Sequence, residues 1–123
     1  MKLTLISDDA IRLDSAAGPM SIESVTGEQT LSPFHMVAAG LAWCTLSVLH
    51  AWANHAMLKG DDLEIEIDWM FAEDPHRVGT FQLTLHWPSL PPGRELAAKR
   101  VAEMCAIHET LTHSPTITIG IAA

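Results

Sequence analysis

Apolar and polar residues alternate most sharply in DLEIEIDWMF. There Leu63, Ile65, Ile67, Trp69 and Phe71 fall on one side and Glu64, Glu66 and Asp68 on the other. A period of two predicts a half-buried strand. TFQLTLHW repeats the pattern with Phe81, Leu83, Leu85 and Trp87 inward, and the intervening AEDPHRVG reads as a turn. Together they predict an antiparallel hairpin with one wet face. Looser alternation in KLTLIS, AIRLDS and MSIESV predicts three short N-terminal strands, punctuated by Asp8-Asp9 and Gly18-Pro19, with TGEQTL as a loop.

The stretch LSPFHMVAAGLAWCTLSVLH, continuing to about Leu58, is apolar almost all the way round. Ser32 suits an N-cap, Pro33 the first helical position, and Lys59-Gly60 a C-terminal stop. Its apolar length also fits a membrane span. His35, Thr45, Ser47, His50, Asn54 and His55 are scattered through it, and no basic cluster orients it, so a helix buried on most sides is the better expectation. A second helix is expected over RELAAKRVAEMCAIHETL, with Leu96, Val101, Met104, Cys105 and His108 roughly on one side, and a last strand over TITIGIA. The order of strands, buried helix, hairpin, helix and strand predicts an α+β fold in one domain over residues 1–123. One sheet covers one side of the first helix; a second copy of the chain is the simplest cover for the other, predicting a homodimer.

Composition narrows the function. A formal net charge of −8 argues against nucleic acid and anionic membranes as partners. The start MKLTLISDDAIRLD carries no secretory pattern, which gives a cytoplasmic expectation. In that compartment two cysteines, Cys44 and Cys105, are core fillers or redox-active thiols. Leu41, Gly40, Ser47 and Val48, the helical neighbours of Cys44, neither accept its proton nor stabilise a thiolate. His35 is about half a turn out of phase, and His55, though in phase, lies about 16 Å along the axis. Any activator of Cys44 therefore comes from another element or another chain; otherwise it is inert packing. At Cys105, His108 sits three residues on, where an imidazolium would lower the thiol pKa.

Other chemistry finds less support. Cys44, Cys105, His108 and His113 can be drawn as zinc ligands, but only one C-x-x-H pair exists, and no metal or other cofactor is expected. The four tryptophans read as core and interface bulk, and His76 and His86 as solvated. There is no G-x-S-x-G elbow and no phosphate-binding glycine loop.

SPFHMVAAGLAWCT resembles the helix start, alanine-rich stretch and first cysteine of the OsmC/Ohr family. MCAIHETL resembles that family's second-cysteine motif, C-P-V-H-x-T-L in many members, and the resemblance extends over about residues 31–119. It implies an intertwined homodimer with buried helices at its centre. It also implies organic hydroperoxide reduction, with Cys44 as the peroxidatic thiol, Cys105 as the resolving thiol, and a dithiol or small thiol as reductant. Active members hold the thiolate with an arginine from the N-terminal region, for which Arg12 is the only candidate; His108 is a further candidate for assistance. Where those members carry a glutamate, this chain has Phe34 and His35, and Ala106 replaces the motif's proline. A non-catalytic protein that keeps the fold and binds a small hydrophobic ligand at the dimer interface is the alternative expectation.

Overall fold

The computed structural model describes residues 2–7, 10–14 and 32–122, so the expected strand MSIESV and loop TGEQTL lie outside it. The chain divides into two compact units, Met1–Thr30 and Leu31–Ala123. In the first, β1 (Lys2–Ser7) pairs antiparallel with β2 (Ala10–Asp14), Leu3 opposite Leu13 and Thr4 opposite Arg12.

The second unit is built on α1 (Pro33–His55). Its start follows from local chemistry. Ser32 is extended (φ −78°, ψ 163°), and its Oγ accepts the His35 N–H at 3.3 Å. The His35 Nδ1 accepts the Ser32 N–H at 3.3 Å, completing a reciprocal cap, with Pro33 in the first turn. The helix ends at His55, three residues short of the expected Leu58, because Met57 adopts a positive φ of 56°. Ala38, Leu41, Thr45, Leu49 and Ala53 form its buried stripe at three- and four-residue spacing, whereas Val37 and Trp43 face outward. By length and composition α1 would also suffice to cross a bilayer.

The hairpin forms as its alternation predicts. β3 (Glu64–Ala72) pairs antiparallel with β4 (Arg77–His86), placing Ile65 opposite Leu85, Ile67 opposite Leu83 and Trp69 opposite Phe81. These side chains are half-buried, while Glu64, Glu66 and Asp68 are exposed. The register breaks between Met70 and Phe71, and beyond this bulge Phe71 is 47% exposed, not inward. Gly79 sits at the bulge because a Cβ there would lie 2.8 Å from the Ala72 Cβ.

Leu49, Ala53, Trp87 and Ala98 form the core, flanked by Trp52, Leu63, Ile65, Leu85 and Val101. Trp52 and Trp87 meet edge to face with centroids 6.0 Å apart. The connector from α1 to the hairpin is pinned to the far end of β4. The Trp87 Nε1–H donates to the Lys59 carbonyl at 2.8 Å, and the Ser89 N–H and Oγ donate to the Asp62 carboxylate at 2.9 and 2.6 Å.

The expected second helix is two. α2 (Glu95–Ala102) stops, and α3 (Ala106–Thr112) starts afresh after Cys105. α2 complements its own dipole, with Glu95 in the first turn and Lys99 and Arg100 in the last. The break leaves Leu96 and Met104 60% and 71% exposed, so the five residues expected on one side do not share a face. The expected last strand is not formed either: residues 114–122 have no regular structure and are exposed. Isolated alternation in TITIGIA cannot make a strand without a neighbour to take its backbone hydrogen bonds.

Candidate functional site

α1 and α3 are in contact, and their meeting point holds both cysteines. Cys44 lies mid-helix on α1 and is half-buried; Cys105 is fully buried. Both are free thiols. The Cys105 side chain is the main influence holding the Cys44 thiol below its ordinary pKa. The main-chain N–H of Ile107, and more weakly that of Ala106, act the same way, against a smaller upward push from burial. The groups that favour a thiolate on Cys44 thus come from α3 and not from its own helix.

The break in the second helix explains this arrangement. Cys105 is extended (φ −60°, ψ 132°) and serves as the N-cap of α3, its Sγ accepting the His108 N–H at 3.4 Å. Its own N–H donates to Ala102 O at 3.4 Å. The start of α3 therefore points N–H groups at both sulfurs. The family motif carried the signal: a proline immediately after the second cysteine suits the first position of a helix. Ala106 removes that marker from this chain, so the run from Arg94 onward reads as continuous.

His108 reaches the Cys105 sulfur through its main-chain amide, and the half-buried residue also lines a cavity of about 640 Å3. Phe81, Leu83, Leu85, Trp87 and Leu90 wall this cavity, with Lys99 among its polar groups. Thr45, beside Cys44 in sequence, also reaches it and is 2% exposed, its Oγ1 donating to Leu41 O at 2.8 Å. Arg12 lies on β2, and its side chain, with any reach toward Cys44, lies outside the described residues. At the positions where active relatives are expected to carry glutamate, Phe34 packs edge to face on Phe71 and His35 on Trp69, with centroids 5.0 and 4.9 Å apart. No group of three or more His, Cys, Asp or Glu is placed to hold a metal ion among the described residues.

A half-buried thiol on a central helix, facing a second thiol at the start of a short one, defines a two-cysteine α+β protein. The OsmC-like protein family model matches residues 26–120, and the chain belongs to that family. The fold is similar to the crystal structure of a protein from Psychrobacter arcticus 273-4, provisionally described as an osmotic stress induced and detoxification response protein. That match has a TM-score of 0.62 and 20% identity over 68% of this chain. It spans 62% of the other chain's length. No curated protein matches the chain.

Proposed function

We propose that the protein reduces organic hydroperoxides by a two-thiol mechanism, acting as a homodimer in a detoxification role like that named for its structural neighbour. The observation that carries this reading is the pairing of Cys44 and Cys105, which lie 61 positions apart in the sequence, with Cys44 biased toward thiolate. Cys44 is the more accessible sulfur and takes the peroxidatic role. Its thiolate attacks the distal oxygen of ROOH, the O–O bond breaks, and ROH leaves once its alkoxide is protonated. The resulting Cys44 sulfenic acid condenses with Cys105, expelling water and forming the disulfide. An external dithiol then returns both residues to thiols. The N–H groups of Ile107 and Ala106 supply part of the positive potential a thiolate needs. Arg12 is the candidate to supply the rest, and His108, in the cavity lining, the candidate proton donor to the departing alkoxide. The partly apolar cavity is lined by Thr45 and His108 and by neither sulfur; an alkyl or aryl hydroperoxide held there would suit it better than hydrogen peroxide.

The cavity, with Phe34 and His35 in place of a carboxylate, also supports a second reading: a non-catalytic protein that holds a hydrophobic small molecule. Consumption of cumene hydroperoxide with dithiothreitol as reductant separates the two. The first reading expects turnover in the parent, loss to background in Cys44→Ser, and accumulation of sulfenic acid in Cys105→Ser. Equal consumption by parent and Cys44→Ser overturns it. No consumption by either, with a hydrophobic compound retained in native mass spectra, selects the second.

A further inference from the structure

We propose that the Cys105 sulfur is a helix cap that oxidation breaks, so that forming the Cys44–Cys105 disulfide loosens α3 and opens the site to reductant. The inference rests on the two-thiol reading above and concerns its regulation. An α-helix leaves its first four N–H groups without intrahelical partners. In α3 these belong to Cys105, Ala106, Ile107 and His108. The first donates to Ala102 O; the His108 N–H donates to the Cys105 Sγ, and the N–H groups of Ala106 and Ile107 act on the Cys44 sulfur. One of the four therefore ends on the Cys105 sulfur at 3.4 Å, and two more favour a thiolate on Cys44. Little else holds the segment: α3 has seven residues, none of them buried, and Ile107 and Leu111 are 37% and 43% exposed.

In the condensation, the Sγ–Sγ bond forms as the S–O bond of the Cys44 sulfenic acid breaks. The hydroxyl leaves as water with the Cys105 proton. An S–S bond of about 2.05 Å draws the Cys105 sulfur toward Cys44 and away from the His108 amide. The Cys44 sulfur can no longer carry a thiolate charge, so the bias toward a charged acceptor is gone. The His108 N–H loses its acceptor, and the Ala106 and Ile107 N–H groups lose the thiolate they favour, in one step. The new crosslink constrains the unfolded chain and so resists global unfolding. It anchors only the capping residue, however, and leaves Ala106–Thr112 free to fray. The consequence is functional because a reductant meets the disulfide only at the half-buried Cys44 sulfur while Cys105 stays fully buried. Fraying exposes it. Transfer of two electrons from a dithiol then regenerates both thiols, restores the cap and recloses the segment.

Amide hydrogen exchange on the full chain tests this, comparing the reduced protein with protein oxidised by diamide and verified by mass to have lost two hydrogens. Amides over 106–112 are expected to exchange about five- to tenfold faster when oxidised, the loss that removing a helix cap produces. Peptides around Leu49 are expected to show no such increase. Cys105→Ser keeps a capping oxygen and cannot form the disulfide, so its α3 is expected to stay slow with or without diamide. Unchanged or slower exchange over 106–112 in the verified disulfide overturns the proposal, as does failure of diamide to form the bond. Because diamide makes the bond without peroxide, loosening of α3 in a chain that consumes no hydroperoxide preserves the cap and removes only the peroxidase reading.

Discussion

Leu49→Ala is the substitution to which the second unit is expected to be most sensitive. Leu49 is 0% exposed and sits on α1 where that helix meets Trp87 and Ala98. Truncation removes the transfer free energy of the lost carbons and leaves a cavity whose lining relaxes only partly. Two immediate neighbours, Ala53 and Ala98, are too short to collapse into the gap, and Trp87 is held at its Nε1 by the Lys59 carbonyl. The cost should therefore fall in the upper half of the Leu→Ala range, about 3.5–5 kcal/mol. A chain of this size has a total stability of roughly 6–18 kcal/mol, so from about a fifth to about four fifths of it is at stake. Urea unfolding followed by tryptophan fluorescence should show the midpoint falling by about 1.5 M at unchanged slope. Val37→Ala, on the exposed side of the same helix, should cost less than about 0.5 kcal/mol. A Leu49→Ala midpoint within about 0.3 M of the parent, read against that slope, would refute this account of the core.

Two further predictions concern titration. Cys44 is held below the ordinary thiol pKa chiefly by Cys105, so its alkylation by iodoacetamide should reach plateau at lower pH than a free thiol, and Cys105→Ala should move that profile upward. The same depression makes the fold more stable as pH rises through the folded value of Cys44, an increment fully present above the unfolded thiol value and lost on the way down. The Asp62 carboxyl is held low chiefly by the Ser89 hydroxyl, against an upward push from desolvation, with smaller downward contributions from the Ser89 and Asp62 amides and Lys59. Its contribution is present above the ordinary carboxylate range and lost as pH falls through the folded value. Acid unfolding curves of Asp62→Asn and Ser89→Ala should accordingly be flatter than the parent's, and parallel curves would show that the clasp carries no such linkage.

The hairpin was legible because it satisfies itself: each strand carries a period of two, and the partner lies a turn away. α1 was legible because Ser32 and Pro33 are local signals that act whatever packs later. The rest depended on contacts the sequence does not advertise. Cys105 could be placed on a helix face or ahead of a helix by the same letters, and only its extended backbone decides that it caps α3. Besides Cys105, the groups biasing Cys44 are main-chain amides of Ile107 and Ala106, which no residue type identifies. TITIGIA has strand composition but, among the described residues, no strand beside it, and pairing is a property of two segments.

The clasp between the α1–β3 connector and the end of β4 has a consequence for how the chain can vary. The Trp87 indole bonds the main-chain oxygen of residue 59 and makes no demand on its side chain, whereas Ser89 requires the carboxylate of Asp62. Gly60, between them, would bring a Cβ to 3.2 Å from the Ala53 Cβ. Position 59 should therefore accept almost any residue, while an insertion or deletion anywhere from 56 to 62 would throw both anchors out of step. The length of this segment is more constrained than its lettering.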